Sequence, residues 1–340
     1  MKKQGKATSR GFGELGLIDQ IRRGQPARRG AVVLGIGDDC AILRPPAGAE
    51  VLVTTDFTLE GRHFRRDLHP AESVGHRCLA RGLSDLAAMG AKPMGAFLSL
   101  ALPKEMLATA AGRRWVEGFF RGLRALGERY GVPLAGGDTS ESPGGLVLAD
   151  IVLVGSAPAG KALRRSGGRA GDFLYCTGRL GGAAAELEGM FARGKLARVS
   201  DRQGHPHLFP EPRLRVGAAL LRRGLATACL DLSDGLSSDL AHLCAESGAG
   251  AEVEEALLPV HPLAAQLGGA RGLELALNGG EDYELLFSAP AEVKVPHSLA
   301  GVAVTRIGKL VRGGAMTLVR ADGRREELRA RGWEHFGGLD

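Results

Sequence analysis

Aromatic side chains are scarce: three Tyr, two Trp and eleven Phe in 340 residues. A base-stacking platform of the kind that single-stranded nucleic-acid binders use has little to be built from. The five cysteines (Cys40, Cys78, Cys176, Cys229 and Cys244) are widely spaced, odd in number and form no C-x-x-C. They make neither a disulfide framework nor a zinc site. Cys40, Cys176 and Cys229 stand in apolar runs and are expected to be buried as small hydrophobes. No uncharged apolar run reaches the ~18 residues of a membrane span, and the segment 1–10 is polar and basic, without the apolar stretch of a secretory signal. A soluble, cytoplasmic protein with no membrane and no nucleic acid among its partners is the expectation. Familiar nucleotide signatures are missing as well. There is no G-x-x-x-x-G-K-[ST], Gly35-x-Gly37 runs into Asp38-Asp39 rather than completing a dinucleotide fingerprint, and the protein-kinase motifs are absent.

What is present is ordinary in bulk. Apolar residues make up 44% and charged residues 24%, enough for a sizeable core. The length suggests two domains. Net charge is +6, mostly through arginine. The arginines are scattered and no aromatic stripe accompanies them, so the basic balance reads as surface composition rather than a nucleic-acid footprint. The 52 glycines show no period and belong to turns and close approaches.

Periodicity organises the chain into alternating strands and helices, an α+β (mixed α/β) fold in two halves. Residues 1–10 read as a disordered basic tail. Helices are expected over 13–23, 71–89 and, most clearly, 104–130. In the last of these Val116, Phe119, Phe120, Leu123 and Leu126 form the buried stripe and Gly131 the cap. Strands are expected at 95–102, 146–154 and 173–176, helices at about 181–191, 212–223 and 237–246. Gly155-Ser156-Ala157-Pro158-Ala159-Gly160 is the candidate junction. The domains are therefore placed at 11–157 and 158–340.

One pattern recurs: an apolar strand-like run, small residues, then aspartate. It delivers Asp38-Asp39, Thr54-Thr55-Asp56, Gly136-Gly137-Asp138 and Asp231-Leu232-Ser233-Asp234-Gly235, each read as a strand end. Taken singly, each has a plain alternative: a solvated turn for Asp38-Asp39, β-propensity for the threonines, an elaborate helix cap for residues 231–239. Asp85 differs, because it lies in an apolar helical stretch where a charge needs a partner, with capping as its alternative. Together the acids, framed by Gly, Ser and Thr in a basic protein, point to divalent cations holding polyanionic phosphates. Mg²⁺ takes one or two carboxylates and keeps several waters, so many aspartates imply several ions. The acids are expected to converge on one cleft between the domains.

These residues together resemble the thiamine-monophosphate kinase family, in the superfamily of aminoimidazole-ribonucleotide synthetase and selenophosphate synthetase. The resemblance covers nearly the whole chain. It rests on Gly13-Glu14-Leu15, residues 37–41, Thr54-Thr55-Asp56, residues 60–64, 83–90, 136–139, 231–240 and 279–287, and Gly332-Trp333-Glu334-His335-Phe336. Arg81-Gly82 departs from it by its charge. The resemblance implies ATP- and Mg²⁺-dependent phosphorylation of thiamine monophosphate to thiamine diphosphate, by direct in-line transfer without a phosphoenzyme or an obligatory general base. It further implies a homodimer in which the N-terminal sheet-plus-helices domains pair, and a C-terminal α/β sandwich-like domain that completes the ATP cleft. By resemblance the metal ligands are Asp38, Thr54, Thr55, Asp56, Asp85, Asp138, Asp231 and Asp234. ATP contacts fall to Tyr130, Gly137, Asp138, Arg165 and Ser233, and substrate contacts to His63, Glu281 and Trp333. Selenophosphate synthesis is disfavoured because no Cys precedes Gly35. A non-enzymatic, basic nucleotide- or nucleic-acid-binding protein is the other alternative.

Overall fold

The computed structural model describes residues 14–23 and 30–334; the basic tail and the start of the first helix at Gly13 lie outside them. In the first half, α1 (Glu14–Arg23) and a short pair, β1 (Val32–Leu34) and β2 (Ile42–Leu43), precede β3 (Ala49–Leu59). Then follow α2 (Ala71–Ala88), β4 (Lys92–Leu102), α3 (Lys104–Ala108), α4 (Ala110–Tyr130), β5 (Leu134–Glu141) and β6 (Leu148–Pro158). Strands β3 to β6 form a four-stranded sheet in the order β3-β6-β4-β5, antiparallel except for β4 with β5. The α2 helix packs on one face of that sheet, and α4 packs on α2. Leu98, Leu100, Ile151 and Leu153 are buried beneath them, as is the whole expected stripe of α4.

Three local expectations are corrected here. The long helix over 104–130 is broken at Thr109, whose extended backbone (φ −101°, ψ 150°) and hydroxyl, accepting the Gly112 amide at 3.1 Å, start α4 afresh. Asp56 and Asp138 are not at strand ends: both lie inside long strands, because pairing with β6 and β4 continues past them. Strand β6 likewise runs past its expected end at Val154 as far as Pro158.

The second half contains β7 (Phe173–Thr177), α5 (Gly182–Arg193), α6 (Leu214–Arg223), β8 (Ala228–Asp231), α7 (Leu236–Ser247), β9 (Gly250–Glu254), α8 (Pro262–Ala265) and α9 (Gly269–Asn278). It ends with β10 (Leu285–Ala289), β11 (Ser298–Leu299), β12 (Val302–Val311), β13 (Met316–Val319) and β14 (Arg325–Glu327). An eight-stranded sheet runs β14-β13-β9-β12-β7-β10-β8, with β11 paired to β12. Leu174, Cys176, Leu230, Leu286 and Ile307 are fully enclosed on it. Cys176 and Cys229 are buried as expected, but Cys40 is exposed, in the bend between β1 and β2 rather than in the core.

The two halves meet along α2. A β-carbon on Gly217 would lie 1.9 Å from the Ala87 carbonyl oxygen, so only glycine lets α6 approach α2 so closely. That contact brings the end of β8, with Asp231, against the last turns of α2. No helix among the described residues is long and apolar enough to cross a membrane.

Candidate functional site

Strand alternation decides where each acid goes. On β3, Thr54 and Asp56 face α2, whereas Val51, Val53, Thr55 and Phe57 are exposed on the other side. Register extends the open face: Phe57 is opposite Asp150, Asp150 opposite Ser99, and Ser99 opposite Asp138. Thr55 Oγ1 donates to Asp150 Oδ1 at 2.6 Å on that face. The adjacent residues Thr55 and Asp56, and with them Asp138 and Asp85, therefore belong to opposite sides of one sheet.

Two clefts result, not the one expected. Asp38, Asp39, Cys40, Gly137 and Asp138 line a cleft of about 600 Å³ against α1, β4 and β5. Gly137 is required there: its φ is +146°, and a β-carbon would lie 1.9 Å from the Leu98 carbonyl oxygen. A second cleft, of about 410 Å³, lies between the halves and is lined by Asp56, His63, Asp85, Asp231, Ser233, Asp234, Glu281 and Trp333. Tyr130 borders neither. Its hydroxyl is taken up by Glu211, which burial and that neighbour accompany with a pKa well above the usual phenol range. Arg165 is exposed, and its charge partly opposes the upward push that burial gives Asp85 and Asp231.

The acids of the interdomain cleft are held against their inclination to ionise. Burial pushes Asp56 up to about 6, with Arg81 opposing. Burial, then the neighbouring Asp231, push Asp85 up to about 7. Burial pushes Asp231 up to about 6, while a hydrogen bond from Ser84 Oγ at 2.7 Å resists. Thr54 Oγ1 donates to Asp85. Such a set of oxygens, short of positive charge, suits a hard cation.

The turns that carry the remaining groups are fixed from behind. Asp239 Oδ2 accepts the amides of Asp234 and Gly235, both at 3.1 Å. The Trp333 amide donates to the Asp234 carbonyl at 2.9 Å, and its ring, 50% exposed, stands beneath the Arg62 guanidinium. His63 Nδ1 accepts the Leu59 amide at 3.0 Å, which leaves the proton of a neutral ring on Nε2. Glu281 has φ +67°, a left-handed conformation uncommon outside glycine, and burial alone would raise its pKa. Arg77 Nη2 at 2.5 Å and His207 Nδ1 at 3.0 Å hold it well below the usual range instead.

Sequence reasoning passed over Arg77, His207 and Asp150, and gave Ser84, Arg81 and Asp239 no named role in the site. Arg81 carried a signal, as a charge in an otherwise small and apolar run. His207 carried none, because its partners His69 and Glu281 are 138 and 74 positions away by number; the His69 and His207 Nε2 atoms meet at 2.9 Å.

The geometry agrees with known proteins. Residues 37–157 match the family model for the N-terminal domain of AIR synthase related proteins, and residues 169–320 match that for the C-terminal domain. The chain is 38% identical to the thiamine-monophosphate kinase of Escherichia coli K12 over 333 residues, which is 95% of this chain and 98% of that one. The crystal structure of thiamine-monophosphate kinase from Stenotrophomonas maltophilia K279a superposes with a TM-score of 0.76 at 35% identity, covering 91% of this chain and 96% of that one. AaThiL complexed with AMPPCP and TMP superposes at 0.73 with 29% identity, over 96% and 97% of the two chains. The chain belongs to the thiamine-monophosphate kinase family.

Proposed function

We propose that this protein transfers the γ-phosphoryl group of ATP to thiamine monophosphate, giving thiamine diphosphate and ADP. The observation that carries the reading is the interdomain cleft, where Asp56, Asp85, Asp231 and Asp234 share a lining with His63, Glu281 and Trp333. It is joined by full-length similarity to thiamine-monophosphate kinases, and one similar structure is a complex with AMPPCP and TMP.

Phosphoryl transfer asks a protein for positioning and charge neutralisation. The donors fit Mg²⁺: they are carboxylates and hydroxyls, buried and mutually repelling. Among the described residues no three His, Cys, Asp or Glu side chains already form a cage. Each ion would be held by one or two of these carboxylates, as Mg²⁺ commonly is. Bound there, Mg²⁺ supplies neutralisation of the phosphates that these carboxylates would otherwise repel. Asp56, Asp85, Asp231 and Asp234, with Thr54 behind them, are the ligands on this side of the sheet. Asp38, Thr55 and Asp138 are assigned to the open side, where Gly137 allows close approach. The acceptor is already a phosphate oxygen, so no general base is assigned. Trp333 stacks on a ring of the substrate, His63 and Glu281 contact it, and Ser233 and Arg165 contact ATP.

We further assign a cytoplasmic homodimer. The open face of the first sheet leaves Val51, Val53 and Phe57 exposed at 51, 66 and 61%, an apolar surface that a monomer seldom leaves open, and among the described residues their strand β3 is the sheet's outer strand. Packing of two copies through this face covers Thr55, Asp138 and Asp150. The test of the activity is direct: purified protein with ATP, Mg²⁺ and thiamine monophosphate yields thiamine diphosphate and ADP. Absence of both products from well-folded protein overturns the reading.

A further inference from the structure

Arg81, on α2, brings a guanidinium into the interdomain cleft that its neighbours barely use. Its side chain is 15% exposed, with Nη2 3.5 Å from Asp56 Oδ1 and Nη1 3.6 Å from Glu281 Oε1. Both contacts are at the outer limit of pairing, and among the described residues the buried Nε has no hydrogen-bond partner. Arg77, one turn earlier, is different. It is locked to Glu281 at 2.5 Å and to the His63 carbonyl at 2.8 Å, and it does not line the cleft.

A guanidinium carries five N–H donors in a planar fork matched to phosphate. Burying that fork with one long hydrogen bond forfeits most of its hydration, a cost that a ligand oxygen in the cleft would offset. Asp56 and Glu281 keep the side chain in place from two different halves of the protein, too far away to saturate it. We propose that Arg81 is a specificity-determining residue that binds the monophosphate of the acceptor. The phosphate takes the Nη donors, which lie beside the cleft-lining Asp56 and Glu281, and Asp56 would then be free to hold a cation. Arg81 thereby separates thiamine monophosphate from unphosphorylated thiamine. The assignment rests on the thiamine-monophosphate reading given above.

The alternative is that Arg81 only balances Asp56 and Glu281, and kinetics separates the two. In full-length Arg81→Met the KM for thiamine monophosphate rises by about tenfold or more, as expected for loss of a charge-assisted hydrogen bond. The KM for ATP stays near the wild-type value. Calorimetry shows the preference for thiamine monophosphate over thiamine falling by a similar factor. Arg81→Lys keeps the charge without the fork, serves if the Met variant folds poorly, and gives an intermediate KM. A wild-type KM for thiamine monophosphate in either folded variant, or equal rises for both substrates, overturns the Arg81 assignment alone. Wild-type protein that neither binds nor phosphorylates thiamine monophosphate overturns the functional reading and this assignment together.

Discussion

Ser84 and Asp231 come from opposite halves of the protein, yet the Ser84 hydroxyl donates to Asp231 Oδ2 at 2.7 Å with both side chains buried. This hydrogen bond ties α2 to the end of β8 and is one of the few favourable contacts that Asp231 has. Ser84→Ala leaves a buried carboxylate short of a donor, which costs about 1–3 kcal/mol. Chemical denaturation should show a lower midpoint at pH 8, and an unchanged midpoint would remove this contact from the domain interface.

Asp85 should trade stability for activity. Its folded pKa, about 7, lies above the unfolded value, so the stability tied to its protonation is complete below about pH 4 and is lost as pH rises through 7. Asp85→Asn carries no such penalty. At pH 8 without Mg²⁺ the variant should therefore melt above the wild type, by about 1 kcal/mol or more in stability, while its turnover collapses. Adding Mg²⁺ should raise the melting temperature of the wild type more than that of the variant. Equal responses to Mg²⁺ would take Asp85 out of the ligand set.

Acid sensitivity should come from buried histidines. Burial lowers His76 to about 4, and its Nε2 lies 2.7 Å from the Pro210 carbonyl, as a neutral donor would. A histidine whose pKa is depressed on folding takes up more protons when unfolded, so stability is full above about pH 6.5 and falls as pH drops toward 4. His69, lowered to about 3, and His207 act in the same direction. Denaturation midpoints measured from pH 8 to 4 should decline over that window. The slope should be shallower in His76→Gln, and an identical slope would assign the sensitivity elsewhere.

The open sheet face gives a test of assembly. A charge at the centre of the exposed β3 row, Val53→Lys or Phe57→Lys, should convert the dimer to monomer in sedimentation velocity. Activity should fall with it, because Thr55, Asp138 and Asp150 lie on the face that pairing covers. A monomeric wild type, or a dimeric Val53→Lys variant, would rule out this face.

Much of this was written locally in the chain. The buried stripe of α4 is a matter of helical period, and residues 116, 119, 120, 123 and 126 announce it without reference to any other segment. The candidate acids were equally legible, since Asp38, Asp56, Asp85, Asp138, Asp231 and Asp234 each stand beside small or hydroxylated residues in motifs that resemble one family. Even the break at Thr109 is local, but there a capping hydroxyl competed with an unbroken apolar pattern, and composition alone favours the pattern.

Sidedness was decided by tertiary structure alone. Alternation states that Thr54 and Thr55 point apart; only the packing of α2 on the sheet states which of them meets Asp85. Register across β3, β6, β4 and β5 set Asp138 and Asp150 in a row on the far face. The close crossing of α6 over α2 at Gly217 brought Asp231 to Ser84. The sequence by itself determined which residues are candidates for the chemistry, because residue type and neighbourhood are local properties. Which residues share a cleft, and which cation sits half-used among them, were decided by strand pairing and helix packing, whose partners lie far away along the chain.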